Sequence, residues 1–169
     1  LIDLYRRTGG QKYKTALDTT VGRIKHWKRN RYGGFFHKAI TPDQMWLDGL
    51  FMGGLLLTAY GEAFDRPAYF DEMYRQAMLM YEHIRDPKTG LYYHGWNCTG
   101  RNHMSGVRWG RANAWILYSM AEILSVTEGT GDQWNQFAES AAAIRGYQRE
   151  NGAFGTILND PAAYDEISA

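Results

Sequence analysis

The sequence predicts an all-α chain, a fragment of an (α/α)6-type toroid of helical hairpins, from a repeated marker and a helical periodicity between its copies. YGGFFH (32–37), TGLYYHGW (89–96) and NGAFGTIL (151–158) each set a glycine-aromatic cluster after a polar helical stretch. Their glycines Gly33, Gly90 and Gly152 are 57 and 62 residues apart, an architectural period. Between the markers, a helix apolar nearly all round alternates with an amphipathic one, the pattern of an inner and an outer ring. A closed ring of six such units takes roughly 350 residues at this spacing. The 169 residues supply about two and a half units, so residues 1–169 are expected to be the central portion of one domain, truncated at both ends.

The elements follow in order. Residues 12–29 read as an exposed helix with Ala16, Val21, Ile24 and Trp27 as its apolar positions. Thr41-Pro42-Asp43-Gln44 has the N-cap, first-turn proline and third-position glutamine of a capping box, which opens a buried helix to about Tyr60. Gly49, Gly53 and Gly54 each cost that helix about 1 kcal/mol relative to alanine, and are expected where a neighbour or a ligand comes close. Residues 68–85 form an amphipathic helix through Phe70, Met73, Ala77, Met80, Tyr81 and Ile84, ended by the turn DPKTG. Residues 109–126 repeat the apolar helix and residues 132–150 the amphipathic one.

Composition narrows the function. The 19 basic and 18 acidic side chains are interspersed, which leaves no electrostatic footprint for nucleic acid and no basic tail for a membrane surface. The apolar run 45–60 is shorter than the ~20 residues of a membrane span and contains Asp48. A single cysteine, Cys98, excludes an internal disulfide and leans towards a reducing, cytoplasmic compartment. No phosphate loop, HExxH zinc motif or nucleophile elbow is present, and the histidines lack metal-ligand spacing, so neither a metal nor a cofactor is expected.

What stands out is one carboxylate, Asp48, inside MWLDGLFMGG. An unpaired buried acid is costly, so Asp48 is either a satisfied structural group, bonded to a backbone amide or to an arginine such as Arg111, or a general acid. In the second reading its apolar neighbours raise its pKa so that it keeps a proton near neutrality. On a helix Trp46 lies about 160° from Asp48, so the two can meet a ligand only near the helix end. His94, flanked by Tyr93 and Trp96, is a packed loop histidine or a donor to a sugar hydroxyl; His37 is the weaker equivalent. In RWGRANAW, Arg111 and Asn113 are caps and ion-pair partners, or Arg111 presents its planar fork to a substrate carboxylate. Trp109 and Trp115 are sugar platforms or core.

Taken together, DQMWLDGLFMGG, DPKTGLYYHGWN, RWGRANAW and ILNDPAAYDEISA resemble glycoside hydrolase family 105, the unsaturated rhamnogalacturonyl hydrolases, in order across nearly the whole chain. The resemblance implies an (α/α)6 barrel and a reaction that hydrates a double bond instead of displacing at the anomeric carbon. The family's acid protonates C4 of a 4,5-unsaturated uronic acid, water adds at C5, and the hemiketal opens to expel the next sugar, as in the breakdown of pectin. It makes Asp48 the proton donor and water activator, and Trp46, His94, Arg111 and Trp115 substrate-binding residues, with an unsaturated uronyl oligosaccharide as the partner. Asn97, Ala112 and Ala114 depart from the family pattern, which has Asp and two glycines there. The family also has a second pocket aspartate on an earlier inner helix, and no residue of this chain matches it. The alternatives are an unsaturated glucuronyl hydrolase, a toroidal epimerase with histidine bases, or a non-catalytic carbohydrate-binding or structural toroid fragment.

Overall fold

A computed structural model describes residues 1–100 and 103–167; the final two residues of the closing motif lie outside the described residues. The elements are α1 (Ile2–Thr8), α2 (Gln11–Lys25), β1 (Gln44–Trp46), α3 (Leu47–Gly49), a π-helical segment (Leu50–Gly54), α4 (Leu55–Ala63), α5 (Ala68–Ile84), β2 (Gly95–Asn97), α6 (Gly110–Val126) and α7 (Gly131–Arg145). Right-handed helical dihedrals at Gly49, Leu50, Gly54 and Leu55 carry α3, the π segment and α4 through as one inner helix.

The inner helices pack on each other and on the amphipathic helices between them. Leu50 and Leu57 of the first inner helix, Met73, Ala77, Met80 and Ile84 of α5, and Ala112, Ile116, Met120 and Ile123 of α6 share one core, joined by Leu17 and Val21 of α2. The buried stripe of α5 is the one its periodicity predicts. Each such Met or Ile contributes about 1.5–3 kcal/mol on burial, which outweighs the weak propensity of the glycine-rich inner helix. Among the described residues no helix is long and apolar enough to cross a membrane.

The repeat read from the three glycines is a backbone repeat. Gly33, Gly90 and Gly152 have φ of 85°, 74° and 85°, the left-handed region that glycine enters freely. Each closes a small hairpin of one kind, the middle one longer by one residue. Asn30, Asp86 and Arg149 donate their N–H to the carbonyls of Gly34, Leu91 and Ala153, each at 2.8 Å. The N–H groups of Gly33, Gly90 and Gly152 return to Asn30, Asp86 and Arg149 at 2.8, 2.8 and 2.9 Å.

Four expectations need correction. The helix over 12–29 stops at Lys25, and Trp27, 40% exposed, donates its indole N–H to the Phe36 carbonyl at 2.8 Å. The capping box at Thr41 does not form. Asp43 is left-handed (φ 62°), and Gln44, Met45 and Trp46 pair antiparallel with Asn97, Trp96 and Gly95. The ribbon claims the backbone of residues 44–46, and it buries Met45 to 1% exposure, so the helix begins only at Leu47. Of the three inner-helix glycines, only Gly54 is a close approach: a Cβ there falls 2.5 Å from Met73 Cε, whereas Gly49 and Gly53 face open space. The last helix also ends early, at Arg145 and not at 150, where Gly146 accepts the chain into a turn.

Candidate active site

The start of the inner helix at Leu47 puts Asp48 in its first turn, and not in the second as the sequence implies. The site assembles around that turn because β1 delivers Trp46 immediately before it and the loop of the next unit crosses it. Leu47 N–H donates to the His94 carbonyl at 3.1 Å, and His94 Nε2 lies 2.6 Å from Asp48 Oδ2. The His94 loop is itself fixed from below by Asn113, which is fully buried. Its Oδ1 accepts from Tyr92 N–H at 2.8 Å, and its amide donates to the carbonyls of Tyr92 and Trp109 at 2.9 and 3.0 Å. The sequence reading offered Asn113 only as a cap; its role is to clamp the loop that positions the histidine.

Around the pair, rings touch in succession. Trp46 meets His94 edge-on at 4.8 Å between centroids, and His37 lies 5.5 Å from Trp46. Trp109 is 4.9 Å from His94 and edge-on to Trp115 at 5.2 Å. Trp115 in turn stacks on Phe51 at 5.4 Å, and Tyr118 closes the series against Phe51 at 5.9 Å. Arg111 joins through Trp109, its guanidinium 4.3 Å above the indole, and pairs with Glu166 at 3.3 Å. The structure therefore brings Trp46, Asp48, His94, Arg111 and Trp115 to one face. The carboxylate partner of Arg111 there is Glu166; the structural alternative that paired it with Asp48 does not describe this site.

Phe51 and Tyr118 were not singled out from the sequence. Spacing holds the signal: Phe51 is three residues from Asp48, and Trp115 and Tyr118 are four and seven from Arg111, one face of each inner helix. His37, the weaker candidate, sits beside Trp46 with Nδ1 buried and unpaired among the described residues. Burial lowers its pKa, against the opposing pull of the Asp48 charge.

The electrostatics of Asp48 run opposite to expectation. Burial does push its carboxyl up, but the hydrogen bond and charge of His94, with His37 behind it, outweigh that and hold Asp48 below the usual carboxylate range. The first turn of a helix also favours the ionised form. The Asp48 and His94 side chains retain 20% and 18% of their exposure, and Met52 and Tyr118 on the same side are 62% and 52% exposed. Within residues 1–169 these side chains form an open aromatic face. Clefts of about 620 and 640 Å³ lie elsewhere, lined around Arg149 and Asp160 and around Phe35 and Tyr69, away from the acid and the rings. Among the described residues no group of three or more His, Cys, Asp or Glu converges as metal ligands.

Helical hairpins whose inner helices start at an acid–imidazole pair and a row of indoles form part of an α/α toroid. The sequence model of Glycosyl Hydrolase Family 88 matches residues 1–169, and the chain belongs to that family. It is 33% identical over 180 residues to the unsaturated rhamnogalacturonyl hydrolase YesR of Bacillus subtilis (strain 168), an alignment covering 100% of this chain and 52% of that protein. It is also 27% identical over 164 residues to an unsaturated 3S-rhamnoglycuronyl hydrolase of Formosa agariphila, covering 90% of this chain and 43% of that one. The chain thus spans about half the length of the curated relatives it matches. A family 105 glycoside hydrolase structure from C. acetobutylicum ATCC 824 superposes with a TM-score of 0.89 at 27% identity, over 98% of this chain and 50% of that one. This bears out the kinship with family 105 read from the motifs. The unsaturated glucuronyl hydrolase of Bacillus sp. GL1, at 17% identity and a TM-score of 0.73, shares the fold.

Proposed function

We propose that the protein is a glycoside hydrolase acting on 4,5-unsaturated uronyl oligosaccharides of the rhamnogalacturonan type, and that residues 1–169 form the central portion of its single toroidal catalytic domain. The observation that carries this reading is the Asp48–His94 contact of 2.6 Å at the foot of an aromatic face that also holds a guanidinium. The relatives named as unsaturated rhamnogalacturonyl and rhamnoglycuronyl hydrolases support it.

In the proposed reaction the sugar ring lies on the indoles of Trp46, Trp109 and Trp115, and its carboxylate meets Arg111. The ligand-free arrangement holds Asp48 ionised. A seated uronate displaces water and adds a negative charge, and both effects favour the protonated carboxyl. Asp48 then gives its proton to C4 of the vinyl ether, which leaves an oxocarbenium ion at C5. The resulting carboxylate takes a proton from water as the oxygen bonds to C5, and the hemiketal opens with release of the next sugar. His94 holds Asp48 in place and tunes its proton affinity throughout. The two-carboxylate separation rules of ordinary glycosidases have no bearing on such a step. The free, buried thiol of Cys98 supports a cytoplasmic setting.

The test is the ultraviolet absorbance of the conjugated double bond, which disappears on hydration. Incubation of the protein with unsaturated rhamnogalacturonan disaccharide is expected to bleach it. A signal unchanged on this and on unsaturated glucuronyl disaccharides sinks the reading.

A further inference from the structure

We propose that Glu166 is a positioning residue that holds the Arg111 guanidinium flat on Trp109, aimed at a ligand carboxylate; this rests on the uronyl-binding reading of the face. The argument starts from the repeat. Trp46 and Trp109 each stand immediately before an inner helix, and each pairs with the next unit, Trp46 with Gly95 and Trp109 with Ile157. The following residues donate to equivalent carbonyls, Leu47 to His94 and Gly110 to Thr156. Asp48 and Arg111 therefore occupy one and the same slot in successive units, with opposite charge. In the first unit the next loop supplies the partner, His94. In the second, the residue at the His94 position is Thr156, whose neutral hydroxyl cannot balance a guanidinium.

Glu166 takes over that function from ten residues further on. Its N–H donates to the Phe154 carbonyl at 2.7 Å, which anchors its backbone to the same loop. Its side chain is 4% exposed, while that of Arg111 keeps 34%, so the acid lies beneath the guanidinium and the guanidinium faces outward. An arginine has long, mobile rotamers, and a planar fork is useful to a carboxylate only when its plane is fixed. One side of the plane is set by Trp109 at 4.3 Å, and the Glu166 contact at 3.3 Å sets its rotation. The opposing possibility is that Glu166 imitates the ligand and must be displaced from Arg111 before binding.

Two measurements decide this. Without ligand, the Arg111 Nε–H resonance is expected to be slow to exchange in the wild type and averaged in Glu166→Gln, with partial recovery in Glu166→Asp. An unchanged resonance in Glu166→Gln overturns the proposal. With ligand, unsaturated rhamnogalacturonan disaccharide and its methyl ester are titrated calorimetrically in the Asp48→Asn background, where turnover does not interfere. Glu166→Gln is expected to weaken the acid roughly tenfold and leave the ester unchanged, the scale of one charge-assisted hydrogen bond. Tighter binding of the acid in Glu166→Gln shows a competitor and refutes the positioning role. Binding of neither acid nor ester to Asp48→Asn protein with Glu166 intact, together with a resonance that does respond to Glu166, removes the uronyl reading and the aim of Arg111 with it, while the restraint on Arg111 stands.

Discussion

The starts of the two inner helices are the same piece of architecture put to different uses. Each has a tryptophan in extended backbone before the first turn, a helix that hydrogen-bonds the loop of the following unit, and an ionic side chain at the second helical position. At the first, Asp48 meets an imidazole 2.6 Å away. At the second, Arg111 meets a buried carboxylate. A repeated fold thus supplies equivalent slots, and the chemistry of each is set by what the next unit brings to it. One slot pairs an acid with an imidazole, the other a guanidinium with a carboxylate.

Breaking the first slot is expected to have the largest effect. Asp48→Asn removes the proposed proton donor and is expected to lower the rate of double-bond loss by roughly 10²–10⁴-fold or more, while thermal unfolding stays near that of the wild type. Collapse of the fold on this substitution, followed by circular dichroism, assigns Asp48 a structural role instead. His94→Gln sharpens the same point through pH. The folded-state pKa of Asp48 is depressed, so its contribution to stability is present above the unfolded carboxylate value and is lost as pH falls through the folded one. Without the imidazole, that increment shrinks, and the acid unfolding curve of His94→Gln is expected to be flatter over this range. The alkaline limb of any rate profile, where the protonated donor is lost, moves upward with the released carboxyl.

The clamp beneath the first slot comes next. Asn113→Ala leaves the Tyr92 N–H and two carbonyls without their partner in a fully buried place. A loss of about 2–4 kcal/mol is expected from denaturant titration, with weakened activity as the His94 loop loosens. The smallest effect separates two of the repeat glycines. Gly152→Ala meets only Gln148 Nε2 at 4.0 Å and costs about 1–2 kcal/mol for the left-handed backbone alone. Gly90→Ala carries the same backbone cost and also drives a Cβ to 2.6 Å from that of Ala143, so it must be clearly the worse of the two. Equal midpoints for both variants contradict this difference.

The two T-x-D-Q stretches show how far local sequence reaches. Thr130-Gly131-Asp132-Gln133 forms a capping box, Thr130 Oγ1 accepting from Gln133 N–H and Gln133 Oε1 accepting from Thr130 N–H. Thr41-Pro42-Asp43-Gln44 has the same signature and becomes a turn leading into a ribbon. Exposed residues surround the first, and nothing competes for its amides. At the second, the strand of the next unit offers hydrogen bonds and a buried place for Met45, and tertiary pairing prevails over the cap.

The order of helices and the repeat follow from the chain alone, because 3.6-residue periodicity and left-handed glycines are local properties. The set Asp48, Trp46, His94, Arg111 and Trp115 is what the resemblance to family 105 implies; periodicity by itself puts Trp46 and Asp48 about 160° apart. Partnership was not legible. Which charge meets Arg111, whether Asp48 is held protonated or ionised, and what supports the His94 loop depend on residues 21 to 55 positions away in sequence, such as Glu166, His94 and Asn113. Electrostatic and hydrogen-bond energies act over a few ångströms in space, and only the packed hairpins bring those groups that close.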